Sequence, residues 1–361
     1  MQKAAFELQC CFCAHDRRPN PKMQDNLLTT LWFIIKYIAY EIYYYILGAG
    51  AIVEDLINYK QNHFYVTPQY GKVAVVTGGA RGLGLEVVKK FLQMDMKVII
   101  GCRNVEAGIG VMQEVRRDIS SGEFSVLKLD MMSFESIKKF ADKVLEECPQ
   151  IHILINNAGI MFPPYTETAE GYESQWGVNF MGHCYLTHLL LPRLKRTAEI
   201  GLESVRIVNV SSCAHFAADT IKFKEFNRRS WYIPSAAYAQ SKLAQVVFTK
   251  FLDKQMKNEE SLVEVFAVHP GIVDTDIFNG TLLKVLVPWL IKLLFKTPEQ
   301  GTFPILHAAL SKSLVKKGGS YISNCQIARV NKAAENSSLE KALHQYCKDS
   351  LAITKFGQVT A

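Results

Sequence analysis

From Lys72 onward the chain alternates short β-branched runs with longer stretches of helical period. KVAVVT (72–77), KVIIGC (97–102), FSVLKL (124–129), HILIN (152–156), VRIVNV (205–210) and VEVFAV (263–268) are each dominated by consecutive apolar residues. A strand wetted on one face alternates apolar and polar residues, so unbroken runs predict strands buried on both faces of a parallel sheet. Segments of helical length, such as 133–147 and 235–257, lie between them. The rhythm predicts repeated βαβ units in one α/β domain over 70–325, a doubly wound parallel sheet. Residues 326–361 are polar and helix-prone, and read as a helical extension on the surface.

The start of the chain breaks this rhythm. LWFIIKYIAYEIYYYILGAG (31–50) sits within an apolar stretch, 27–53, that follows a tail of residues 1–26. Its twelve Leu, Ile, Val and Phe residues favour insertion by about 4–7 kcal/mol, and Lys36 and Glu41 near the middle oppose it by about 5–7 kcal/mol. On a helix those two charges stand about 140° apart and do not neutralise each other neatly. Lys3, Arg17, Arg18 and Lys22 precede the stretch, so a crossing would leave the N-terminus cytosolic and place the main domain in the lumen. A signal peptide fits poorly, because the apolar run starts late, is long and contains charges. Tyrosines at 37, 40, 43, 44 and 45 suit an interface. The expectation is a monotopic or hairpin-like anchor with both ends cytosolic, on the endoplasmic reticulum or a lipid droplet.

Composition narrows the classes. With 49% hydrophobic and 21% charged residues the body can bury an ordinary core. The net charge of +7 is spread along the chain rather than clustered, which argues against nucleic acid and is compatible with anionic ligands or membrane surfaces. Nine cysteines, without paired C-x-x-C spacing, predict neither a disulfide framework nor a metal site. Cys10, Cys11 and Cys13, just before the apolar stretch, read either as lipidation sites or as an incidental cluster.

Candidate chemistry begins where the first strand runs into TGGARGLG (77–84) and then LEVVKKFLQ. Glycines at 78, 82 and 84 permit a tight turn and let backbone N–H groups approach a pyrophosphate at a helix N-terminus. Glycine triplets also occur in loops without a ligand, and the placement between strand and helix gives this one weight. Thr77, Gly78, Arg81, Gly82, Leu83 and Gly84 are the candidate phosphate-side residues of a Rossmann-type site. A carboxylate after the second strand would favour NAD(H) and an arginine NADP(H). The chain reads Gly101-Cys102-Arg103-Asn104, so NADP(H) is the preferred cofactor, with NAD(H) left open. Asp130, closing the third strand, is placed either to accept from an adenine amino group or to cap the helix starting near Ser133.

Tyr238 and Lys242, four apart, share one helix face, and Ser212 follows the fifth strand. Hydride transfer to a carbonyl needs a proton donor, and a phenol titrating near about 10 is poorly matched to neutral pH. The Lys242 ammonium and the positive charge of an oxidised nicotinamide would lower that pKa. Tyr238 is then the acid in reduction and the base in oxidation, and Ser212 stabilises charge on the substrate oxygen. Asn179, in GVNFMGH, would hold a water linking Lys242 to solvent, and Lys242 would also bind the nicotinamide ribose.

TGGARGLG, NNAG, VNVSS, YAQSK and HPGIVDTD, in that order over residues 77–276, resemble the short-chain dehydrogenase/reductase family across most of the chain. The wording around 151–159, VNFMGHCYLT, AAYAQSKLA and LLFKTPEQG is similar to the family's retinol-dehydrogenase-like membrane group. The resemblance implies that Asn157, Ala158, Gly159, Pro270, Gly271 and Thr275 contact the cofactor, with Pro270 shaping a loop and Thr275 near the carboxamide. It also implies an oxidoreductase acting on a lipophilic alcohol and its aldehyde or ketone, of polyprenol or retinol type. Cys184 departs from the group, whose members usually carry Phe there.

Ser212 and Tyr238 stand further apart than in many soluble members, so an extra loop with Phe216, Phe223, Phe226 and Trp231 is expected to wall the site. LLKVLVPWLIKLLFK (282–296), edged by Lys284, Lys292 and Lys296, reads as an interfacial lid or as a helix packing on the body or on a second subunit, which leaves a homodimer open. A lipophilic small molecule and a membrane are the expected partners. Two rivals stand beside this reading: a steroid dehydrogenase, and a cofactor-sensing scaffold without turnover.

Overall fold

The computed structural model describes residues 27–223, 229–278, 289 and 293–358. The chain divides into two compact units, Met1–Ala39 and Tyr40–Ala361, the division falling inside helix α1 (Leu27–Ile57). In the first unit the Lys36 ammonium lies over the Trp32 ring, 4.9 Å from its centre, a cation–π contact that keeps the charge beside the helix.

The larger unit is built on β1 (Val73–Thr77), α2 (Gly82–Gln93), β2 (Lys97–Cys102), α3 (Val105–Asp118), β3 (Glu123–Lys128), α4 (Phe134–Glu147) and β4 (Ile153–Asn156). It continues through α5 (Gly182–Gly201), β5 (Val205–Val210), α6 (Pro234–Asn258), β6 (Val263–His269), α7 (Pro298–Leu310), β7 (Tyr321–Ser323), β8 (Gln326–Ala328) and α8 (Ser337–Leu351). The sheet order is β3-β2-β1-β4-β5-β6-β7-β8, parallel except for the last pair. Val75, Ile99, Leu154 and Ile207 point into one core layer, with Phe140, Phe180 and Phe248 from the helices on that side. Their neighbours Val76, Ile100, Ile155 and Val208 enter the other, with Phe91, Met112 and Ile305. Both faces are dry along β1, β2, β4, β5 and β6, which is why these strands read as apolar runs, whereas β3 at the sheet edge is only partly buried.

The chain beyond residue 325 carries a helix, α8, and joins the fold: β8 closes the sheet edge against β7, and α8 packs on α6 with Leu339, Leu343 and Cys347 buried. One expectation needs correction, the hairpin form of the anchor, since α1 is one unbroken helix to Ile57. Among the described residues no helix is long and apolar enough to cross a membrane. In the second unit Tyr40 and Tyr44 serve the fold, while Tyr43 and Tyr45 are exposed. The Tyr40 hydroxyl donates to the Ala217 carbonyl at 3.3 Å and Tyr43 to the Phe216 carbonyl at 3.5 Å, while Tyr40, Tyr44 and Leu47 pack on the core. Glu41 accepts a hydrogen bond from Ser235. Along α1 the residues 40, 44, 47, 51 and 55 turn inward at helical spacing, and Ile42, Ile46, Val53 and Ile57 stay exposed.

Candidate active site

Strand order reverses between β1 and β4, and doubly wound sheets take ligands in the crevice at such a switch point. A cavity of about 1090 Å³ opens there. Every sequence-predicted site residue lines it except Thr77 and Asn179, so one space joins the glycine turn to the tyrosine–lysine pair.

At the glycine end the backbone is left-handed at Gly78 (φ 68°) and Gly82 (φ 52°), which a side chain would strain. A Cβ on Gly84 would lie 2.4 Å from the Gly78 carbonyl oxygen and 2.5 Å from Asn157 Nδ2. Helix α2 starts here with no side-chain cap among the described residues and no acid in its first turn. Its free N–H groups and dipole therefore suit an anion. Exposed Arg81 and Arg103 border the same end. Asn104 caps α3 through Ala107 N–H at 3.0 Å. These residues fit the phosphate side of a dinucleotide.

Thr77 lies beneath the turn, fully buried; its hydroxyl accepts from the N–H groups of Asn157 and Ala158, both at 2.9 Å. It braces the β4 loop rather than facing the cavity. The helix cap expected of Asp130 is made by Ser133. Asp130 lines the cavity, and its carboxylate accepts from Met132 N–H at 3.0 Å.

At the other end Tyr238 and Lys242 project from α6, with the Lys242 ammonium 5.5 Å from the phenol ring centre. In this structure burial, rather than the Lys242 ammonium, sets the direction of the phenol pKa. Burial pushes the Tyr238 phenol well above its usual range, Cys213 adds to this, and a hydrogen bond with Ser212 offsets only part. Burial also pushes the Lys242 ammonium down to about 7.

Asn179 does not line the cavity. It sits in a π-helical turn, Gly177–Met181, with its side chain tied to Ile160 N–H and C=O at 2.9 and 3.0 Å. Its backbone carbonyl oxygen accepts from Gln245 Nε2 at 2.7 Å. Gln245 Oε1 in turn accepts from Lys242 at 3.2 Å. His183 joins the same carbonyl to Thr77, at 3.1 and 2.9 Å, and burial holds its pKa down to about 4, so it is neutral. Sequence reasoning missed Gln245 and His183; each stands one helical turn from a motif residue, Lys242 and Asn179, which is the signal that could have found them.

The aromatic loop expected to wall the site does not supply the described wall. Phe216, Phe223 and Trp231 are absent from the described lining, and Phe223 packs on Tyr346; Phe226 lies outside the described residues. Phe162 and Tyr44 take that place, with Phe162 edge-on to Tyr238 (5.7 Å) and to Tyr44 of α1 (5.6 Å). Phe162 is held left-handed (φ 58°) by a 2.9 Å bond from its N–H to Gln175. Tyr45, Leu47 and Ile52 of α1 add to the same lining. Of the predicted lid 282–296, residues 282–288 and 290–292, with Lys284, Lys292 and Pro288, lie outside the described residues. Trp289 and Leu293 are exposed, Phe295 lines the cavity, and Lys296, expected at a solvated edge, is buried.

Comparison with known proteins agrees with this geometry. Residues 72–284 match a family model described as short chain dehydrogenase. Human retinol dehydrogenase 11 is 38% identical over 283 residues, 78% of this chain and 86% of that protein. Human polyprenol dehydrogenase is 34% identical over 307 residues, 83% and 92% of the two chains. Among solved structures, an uncharacterized protein from Mycobacterium paratuberculosis superposes with TM-score 0.62 at 28% identity, over 81% of this chain and 97% of that one. The RhlG/NADP complex of Pseudomonas aeruginosa does so with TM-score 0.57 at 22% identity, over 72% and 97%, a likeness of fold alone.

Proposed function

Because the chain belongs to the short-chain dehydrogenase family, we propose that it interconverts a lipophilic alcohol and its aldehyde or ketone at the Ser212–Tyr238–Lys242 end of this cavity. The observation that carries the reading is the continuity of one space from the uncapped N-terminus of α2 to Tyr238, with Phe162, Tyr44, Leu47 and Ile52 as apolar wall. An apolar cavity with a few polar groups at one end is built for a greasy molecule with a single reacting oxygen. The relatives named for retinol and polyprenol are consistent with that class.

The cofactor reading is NADP(H), supported by Arg81 and Arg103 at the glycine end of the cavity, suited to pair with a 2′-phosphate, and by the lack of an acid at the β2 end. When bound it supplies the hydride. Gly78 to Gly84 would receive the pyrophosphate, Asp130 the adenine, and Pro270 to Thr275 the nicotinamide side. Tyr238 delivers the proton to the carbonyl oxygen, and burial keeps its phenol protonated, the form reduction needs. Ser212 donates to the same oxygen as charge develops. Gln245, anchored on the Asn179 carbonyl, would orient the Lys242 ammonium beside the phenol.

The exposed side of α1, with Ile42, Ile46, Val53 and Ile57, is apolar opposite a side already packed on protein. With one side packed on protein and an apolar stripe left exposed, α1 is read as lying on a membrane with the domain cytosolic, where a lipid substrate partitions. Protein reconstituted in membranes with NADPH or NADH should reduce retinal or dolichal in preference to a ketosteroid. No reduction above a Tyr238→Phe control would refute the enzyme reading, and protection of the domain from protease inside sealed microsomes would refute the topology.

A further inference from the structure

Asp55, one turn from the end of α1, is buried against a loop far from it in sequence. Its Oδ1 receives the Lys296 ammonium at 2.9 Å and its Oδ2 the Ile272 N–H at 2.9 Å; the two side chains are 5% and 6% exposed. Lys296 also donates to Asn324 at 2.6 Å. The backbone around Lys296 completes the clamp: its N–H donates to the Ile272 carbonyl at 2.8 Å and its carbonyl accepts from Asp274 N–H at 3.0 Å. Both backbone groups of Ile272 are thereby fixed, one of them by α1.

The pair lies directly under Gly271, whose φ is +95°. A Cβ there would meet Lys296 Cδ at 2.5 Å, Lys296 Nζ at 2.7 Å and Asp55 Oδ2 at 2.8 Å. Pro270, Gly271, Ile272, Val273 and Thr275 line the same cavity as Tyr238. A buried ion pair is weak support for stability, since desolvation opposes the attraction between the charges. What this pair does provide is a fixed direction for one loop.

We propose that Asp55 is a positioning residue for the nicotinamide half of the cofactor: through Ile272 and Lys296 it sets the Pro270–Thr275 loop, so that α1 is part of the cofactor site and not only a tether. This rests on the reading that the loop receives the nicotinamide. The ligand class is a nicotinamide dinucleotide, and the adenosine half, held by the glycine turn and Arg103, is independent of Asp55.

The test is calorimetric binding to the full-length protein in lipid nanodiscs, with NADPH and with ADP-ribose 2′-phosphate, which lacks the nicotinamide. Asp55→Leu/Lys296→Met removes the acceptor without leaving a lone buried charge. Asp55→Asn/Lys296→Met keeps an acceptor for Ile272. The first pair should weaken NADPH by roughly tenfold, as loss of one buried hydrogen bond does, and leave the fragment unchanged; the second should restore NADPH to within about twofold of wild type. If the first pair does not fold, Asp55→Ala/Lys296→Met is read the same way. Unchanged NADPH binding, or parallel loss of NADPH and fragment in both pairs, overturns the proposal. Failure of the wild type to bind either ligand overturns the cofactor reading itself and the proposal with it.

Discussion

Gln245 accepts a hydrogen bond from the Lys242 ammonium at 3.2 Å through one side-chain atom and passes it on through the other, 2.7 Å from the Asn179 carbonyl. The Gln245 amide thus links the Lys242 ammonium to the Asn179 carbonyl. Gln245→Leu should lower kcat by roughly tenfold or more, because a hydrogen bond to a charged group is worth about 1.5–3 kcal/mol. NADPH affinity should stay near wild type. Gln245→Glu should retain part of the activity and move the acidic limb of the pH–rate profile, by placing a carboxylate beside Lys242. Equal kcat in wild type and Gln245→Leu would show that Gln245 does not position Lys242 for the reaction.

Lys242 gives a prediction with a definite sign. Its ammonium titrates at about 7 in the fold against about 10.5 when exposed, so between those values the unfolded chain binds more protons than the native one. Stability contributed at this site therefore rises with pH across that window, and the penalty for the buried charge is complete below about 7. Relative to Lys242→Met, the wild type should lose stability as pH falls from 10.5 toward 7, with a slope of at most about 1.4 kcal/mol per pH unit. Denaturant midpoints of both proteins across that range check it; a difference independent of pH contradicts it.

Phe162 combines a left-handed backbone with the ring that separates Tyr44 from Tyr238. Phe162→Gly should ease the backbone strain and yet raise KM for a lipid aldehyde by roughly tenfold, since burying such a ring contributes about 1.5–3 kcal/mol. NADPH affinity should not change. Steady-state kinetics with calorimetry separates the two effects.

Arg103 is the residue on which cofactor choice is expected to turn. Arg103→Glu should lower the NADPH over NADH preference in kcat/KM by roughly ten- to a hundredfold, through loss of a charge-assisted bond and gain of a repelling carboxylate. An unchanged ratio would shift that role to Arg81.

The six long strands and the glycine turn were legible because each is dictated locally, by consecutive apolar residues and by positions that exclude a side chain. β7 and β8 were not, because three residues such as Tyr321–Ser323 carry no period and exist only through pairing with β6. Ser212, Tyr238 and Lys242 were legible from chemical type and order. Asp55 and Lys296 were not, since nothing near either names the other, and Lys296 read as an edge lysine by its neighbours. The same holds for Glu41, whose partner Ser235 lies on α6. The charges that made α1 a poor membrane span include one that joins it to the body, a long-range contact no local pattern encodes.

The central claim is that the cavity passes hydride to a lipid carbonyl while Tyr238 supplies the proton. Wild type and Tyr238→Phe, each in lipid nanodiscs, can be incubated with NADPH deuterated at the transferable position and with retinal or dolichal, and the alcohol examined by mass spectrometry. One deuterium at the carbinol carbon is predicted from the wild type, with about a hundredfold or greater loss of labelled alcohol from Tyr238→Phe. Unlabelled alcohol, no alcohol, or equal yields from the two proteins would contradict the account.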